Sequence, residues 1–140
     1  MIKKAIIWTS DYSNNTGEGI LSRIFIKELL KNNLKFSKSK NELKIISGSK
    51  NKNTFFHKYL NPFYGVFYLL LNRNKHIAYV NYLPLWNFLI FILLPRKTIL
   101  GPITGGIYNG KVVNLNFFVR KYIFPLLYKF SLFIIYLKFN

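Results

Sequence analysis

Apolar residues in this chain come in short, closed runs. Ala5 to Trp8 is the first, β-branched at Ile6 and Ile7, and the polar stretch Thr9 to Asn15 closes it. Such a run with a turn behind it predicts a buried strand followed by a loop. Thr16-Gly17-Glu18-Gly19 then opens a helix. Ile20, Leu21, Ile24, Phe25 and Leu29, with Ile26 and Leu30 beside them, predict its buried face, and Arg23, Lys27 and Lys31 its solvent face. Asn32-Asn33 marks its end, and Leu43 to Ser47 is a second strand candidate between two polar connections. Phe55 to Leu71 reads as an aromatic helix, broken near Asn61-Pro62 and weakened at Gly65. Ile77 to Asn81 predicts a third strand, Leu85 to Leu94 a short apolar helix stopped by Pro95, and Thr98 to Leu100 a fourth strand. Leu115 to Phe139 predicts a last helix, with Pro125 as a break or kink.

Strands that alternate with helices argue for a parallel sheet, and uninterrupted apolar strands argue that both of its faces are covered. The expected fold is therefore α/β, a Rossmann-like parallel sheet with helices on both faces, formed as a single domain over residues 1–140. No fixed-period repeat suggests a solenoid. The 19 uncharged residues from Ile77 to Pro95 are long enough to span a bilayer, but Asn81, Pro84 and Asn87 near their centre favour a strand-to-helix turn. In Leu115 to Phe139, Arg120, Lys121 and Lys129 oppose spanning, at about 2.5 to 3.5 kcal/mol for a charge at the bilayer centre. A helix lying in the membrane interface fits better, with lysines snorkelling at its edges.

Charge changes the picture next. Lys and Arg number 21 against 4 Asp and Glu, a net charge of +17 on 140 residues. With 51% hydrophobic and 19% aromatic residues, the chain is too apolar to be a disordered basic tail. Only four of the cations are Arg (Arg23, Arg73, Arg96 and Arg120), and Arg is the residue that base readout and phosphate clamping favour. Lys, Asn, Ile, Phe and Tyr, all with A/T-rich codons, make up over half of the chain, so compositional bias accounts for much of the charge. Where the charge is selected, an anionic membrane surface is the expected counterpart and nucleic acid is not. With no cysteine, disulfides, Cys-ligated zinc and a thiol nucleophile are excluded. His57 and His76 lack metal-ligand spacing, so no metal site is expected. The apolar run after Lys3-Lys4 is too short for a signal-peptide core, which points to a cytoplasmic chain.

Two glycine loops are the candidate chemistry. Gly17, Glu18 and Gly19 stand where a strand's carboxyl end meets a helix N-terminus, a place suited to a phosphate or sugar. The full Gly-x-Gly-x-x-Gly fingerprint is absent, because Ser22 takes the last position, and an ordinary turn explains the pattern equally well. Glu18 has two readings, acceptor for sugar hydroxyls or complement to the helix dipole, and Asp11 also has two, general base or turn starter. Gly101, Pro102, Thr104, Gly105 and Gly106 form the second loop, rigid and bare of side chains. On the same sheet edge, the two loops would make a polar crevice of sugar or phosphate size.

Trp8 to Gly19, then Val80-Asn81-Tyr82-Leu83-Pro84, then Thr98 to Gly106 with its Gly-Pro-Ile-Thr-Gly-Gly core, together resemble the N-terminal domain of a GT-B glycosyltransferase of the retaining group used in bacterial polysaccharide assembly. The resemblance covers most of the chain. It implies transfer of a sugar from a nucleotide-sugar donor to a hydroxyl acceptor. Gly17, Glu18 and Gly19 would lie near the donor, and Gly101 to Gly106 on the acceptor side. Where relatives often carry a His, this chain has Gly101-Pro102, so no catalytic residue is carried over. The donor-binding domain of such enzymes is not in these residues, and the first domain stops short of its last strands, as in a truncated product or one chain of a split enzyme.

The expected function is thus the acceptor-binding portion of a glycosyltransferase, inactive alone and peripheral to the inner face of the membrane. Its partners would be the anionic membrane surface, a lipid-linked or glycan acceptor, and a second chain carrying the donor domain. No cofactor is implied beyond the donor itself. The alternative is a non-enzymatic, membrane-associated interaction protein whose glycine loops are only turns, with a basic nucleic-acid-binding domain behind it.

Overall fold

The structure, a computed structural model, describes residues 4–38, 42–47, 55–81, 83–104 and 118–139. β1 (Ala5–Thr9) leads to α1 (Gly17–Asn32), the short α2 (Leu34–Ser37) and β2 (Leu43–Ser47). α3 (Phe55–Leu71), β3 (His76–Tyr79), β4 (Leu83–Pro84) and α4 (Phe88–Leu93) follow. The last elements are β5 (Ile99–Leu100), β6 (Ile103–Thr104) and α5 (Phe124–Phe139), which a π-helical turn, Val119–Ile123, precedes.

β2, β1, β3 and β5 form, in that order, a four-stranded sheet in which every pairing is parallel. β1 lies at its centre, with Ala5 opposite both Leu43 and His76. Successive side chains of a strand point to opposite faces. Ile6 and Trp8 accordingly join one apolar cluster, with Val66 and Leu69 of α3, Ile90 and Phe91 of α4, and Ile134, Ile135 and Phe139 of α5 at its margin. Ala5 and Ile7 join the other, with Ile26 and Leu29 of α1 and Phe36 of α2. The fold is α/β, with helices on both faces of a small parallel sheet.

Several elements differ from expectation. α1 turns Gly19, Ser22, Ile26 and Leu29 inward and leaves Ile20, Leu21 and Ile24 exposed. Apolar residues surround too much of this helix for periodicity to choose a face, and two small residues, Gly19 and Ser22, take the inner side where the chain comes closest. α3 runs unbroken through Pro62. The carbonyl of Pro62 accepts from the buried Tyr79 hydroxyl at 3.1 Å, and Gly65 lies so close to Trp8 that a Cβ would sit 2.2 Å from the indole nitrogen. These contacts hold the helix despite proline's penalty of about 3 kcal/mol.

The expected helix from Leu85 begins only at Phe88. Leu83 and Pro84 instead pair in parallel with Ile103 and Thr104, a second, two-stranded sheet without an alternating pattern to announce it. At the last helix, residues 115–117 lie outside the described residues. The effect of Pro125 is absorbed in the π-helical turn just before it, whose wider ring is closed by the bond from the Phe124 N–H to the Val119 carbonyl. Burial, and then the nearby Arg96, hold the Lys138 ammonium below the usual lysine range.

Candidate functional site

In a sheet ordered β2-β1-β3-β5, the chain leaves β1 in one direction to form β2 and returns on the other side to form β3. The carboxyl ends of β1 and β3 therefore flank a topological switch point, where open α/β sheets leave a crevice for ligands. β1 ends there in Thr9, and Asn81 follows β3 by two residues; both are buried. Asn81 Oδ1 accepts from Thr9 Oγ1 at 2.5 Å and from the Ser10 N–H at 3.1 Å, while its Nδ2 donates to Ser22 Oγ at 2.5 Å and to the Glu18 carbonyl at 3.1 Å. Ser22 Oγ in turn donates to that same carbonyl at 2.8 Å. One amide thus joins β3 to the end of β1 and to the first turn of α1.

The loop between β1 and α1 is held from below and above. Asp11 is buried, and its carboxylate accepts from the Ser13 N–H at 2.9 Å and from Thr16 Oγ1 at 2.5 Å. Thr16 is the N-cap of α1, its hydroxyl accepting from the Gly19 N–H at 3.1 Å. Arg23 reaches back from the second turn, donates twice to the Tyr12 carbonyl at 3.0 and 2.9 Å and lies over the Tyr12 ring, 4.3 Å from its centroid. Asp11 thus serves the turn and the cap, and its oxygens are engaged where a general base would need one directed at substrate.

The predicted site residues fall into distinct groups. Gly17 and Glu18 are exposed in the first turn of α1, and a Cβ on Gly17 would meet nothing within 4 Å. Gly19 is buried, and a Cβ there would lie 2.2 Å from the Ser13 carbonyl oxygen, so close packing of loop on helix requires this glycine. Gly101 is also buried. Its N–H donates to the Tyr79 carbonyl at 2.8 Å, and a Cβ would approach the Val80 carbonyl oxygen to 2.0 Å. Pro102 is half-buried, and Thr104 is exposed on β6, its carbonyl accepting from the Leu85 N–H at 2.8 Å. Gly105 and Gly106 lie outside the described residues.

Both loops thus stand at the carboxyl edge, but their link is indirect. Asn81 reaches Glu18 on one side and Val80 packs on Gly101 on the other, so β3 carries the connection. Sequence reasoning passed over Thr9, Ser22 and Asn81. Their signal was a polar residue directly after each apolar strand run, and a serine at the fingerprint position that otherwise takes glycine. Among the described residues no group of three His, Asp or Glu side chains comes together for a metal. The edge thus carries the positive dipole end of α1, with the Gly19 and Ile20 N–H groups already bonded to Thr16.

Compared with known proteins, the chain matches no family model, no curated protein and no solved structure.

Proposed function

We propose that these residues form the acceptor-side, Rossmann-like half of a GT-B glycosyltransferase. In this reading a sugar passes from a nucleotide-sugar to a hydroxyl of a lipid-linked or glycan acceptor, and a second, donor-binding domain holds the nucleotide. The observation that carries the proposal is the switch point between β1 and β3, with the first turn of α1 fixed beside it by Asn81. A helix N-terminus at that edge suits the phosphates of the nucleotide-sugar, near which the resemblance puts Gly17, Glu18 and Gly19. The engaged carboxylate of Asp11 fits a half that positions the acceptor and leaves bond-making to the cleft between domains. The setting is the cytoplasmic face of an anionic membrane, to which a chain of charge +17 is drawn.

The test is titration of the isotope-labelled chain with a soluble farnesyl-diphosphate-linked sugar and, separately, with a uridine-diphosphate sugar, followed by amide chemical shifts. The first ligand is expected to move the amides of Gly101 and Thr104, and the second those of Gly17, Glu18 and Gly19. Shifts confined to other surfaces, or none with the acceptor, would overturn the reading.

A further inference from the structure

We infer that α4 and α5 together dock on an anionic lipid bilayer, with α5 lying in the plane of the interface and its outer face reaching the headgroup and acyl boundary. The inference extends the membrane-peripheral part of the reading above and does not depend on sugar transfer.

Val119–Phe139 is 21 residues long with a mean hydropathy of 1.4, and only 6% of its most apolar stretch is buried. Tyr122, Leu126, Phe133, Tyr136 and Leu137 are all exposed, and their three- and four-residue spacing places most of them on one side. Leu89, Ile92 and Leu93 add exposed apolar area from α4. A contiguous patch of this kind marks an interaction surface.

Length alone would also allow α5 to span. Its attachments decide against that. Phe124 stacks on Trp86 with centroids 5.9 Å apart, Phe130 meets Phe88 edge-on at 5.2 Å, and Ser131 Oγ donates to the Leu85 carbonyl at 2.5 Å. At the far end Lys138 Nζ donates to the carbonyls of Phe91, at 3.1 Å, and Ile92. The helix is thus fastened along its length to α4, and spanning would break every one of these contacts. Lys129 supplies a second argument, because it is the middle residue of the apolar segment and a spanning helix would hold its charge at the bilayer centre.

Charge selects the occupant. None of the four acidic residues lies beyond Glu42, so α4, α5 and their connections carry cations only. Arg96, Lys97, Arg120, Lys121 and Lys129 are exposed on or beside these helices, Lys129 among the apolar residues of α5. A second copy of the chain seated on that face would bring these charges against their own kind. A surface rich in anionic lipid brings the opposite charge, with each nearby Lys or Arg contributing about 1 kcal/mol.

The experiment is co-sedimentation of the whole chain with vesicles of phosphatidylglycerol and phosphatidylcholine, and with phosphatidylcholine alone. Binding is expected to the first, weakened severalfold by high salt. The double substitution Leu126→Glu and Phe133→Glu is expected to reduce it at least tenfold while the thermal transition is unchanged. As the chain has no cysteine, single substitutions Tyr122→Cys, Leu126→Cys, Phe133→Cys and Leu137→Cys each carry one spin label, whose depth is read from oxygen accessibility. Four similar depths support the in-plane helix. Inner labels deeper than outer ones, equal binding to both vesicle types, no binding, or a dimer that the double substitution dissociates would each overturn the inference. Because acceptor titration uses a soluble ligand without vesicles, either result can fail while the other holds.

Discussion

The two faces of the sheet are finished in opposite ways. On the first, α1 turns two small residues, Gly19 and Ser22, inward, and a buried polar network sets the distance. On the other, α5 is attached by polar side chains that reach backbone carbonyls, Ser131 and Lys138, while much of its bulky apolar surface stays outward. Close approach gives a tightly bonded, polar edge. Attachment by a seam leaves an apolar surface outward. Composition points the same way, since α1 carries five charged residues and one Phe, and α5 two lysines and four Phe.

The largest effect that would break this contrast is expected at the glycines of the first region. Gly101→Ala and Gly19→Ala each drive a methyl into backbone, and losses of about 3 kcal/mol or more are expected from such overpacking, read as urea midpoints or as failure to fold. Gly17→Ala, facing open space two residues before Gly19, is expected to leave the midpoint unchanged or raise stability by about 0.4 to 1 kcal/mol. A loss at Gly17 equal to the other two would show that close approach does not set the requirement.

Asn81→Ala comes next. It removes the donors and acceptors that serve Thr9, the Ser10 N–H, Ser22 and the Glu18 carbonyl, and buried groups left unpaired cost about 1 to 3 kcal/mol each. A loss of about 3 kcal/mol is expected, with faster amide exchange at Ser10 and the first turn of α1 as its local signature.

Tyr79→Phe is expected to be smaller, about 1 kcal/mol for the bond to the Pro62 carbonyl, and it carries a pH dependence. Burial raises the Tyr79 phenol well above its ordinary value of 10.0, with the Trp8 indole opposing the shift. The folded chain therefore keeps this proton after the unfolded chain has released it. Its contribution is complete below pH 10 and declines as the pH rises above it. The wild type is expected to lose stability relative to Tyr79→Phe between about pH 10 and 11, measured as the difference in urea midpoints.

The smallest effect is expected on the outer face of α5. Phe133→Ser and Leu126→Ser should each change stability by no more than about 0.5 kcal/mol, because these side chains are exposed. A loss of several kcal/mol would mean that the surface is already covered by protein.

The α/β class, the strand at Ala5, the helix after Thr16 and the aromatic helix after Phe55 were legible in the sequence, because each rests on a local run with a turn or cap at its end. The carboxyl-edge position of Gly17 and Gly101 was legible for the same reason. The switch-point network was not. Thr9, Ser22 and Asn81 are far apart in the chain, and nothing local tells a serine in a buried helix stripe from one facing water.

The sequence by itself determined which segments become the four strands of the main sheet and the longer helices between them, since these depend on neighbours within a few residues. Only the tertiary structure decided that Gly19 and Gly101 are spacers while Gly17 is not, that Pro62 stays inside a helix, and that Asn81 joins the two strands. Those outcomes depend on which backbone comes close to which, a distance fixed by the packing of elements that lie far apart along the chain.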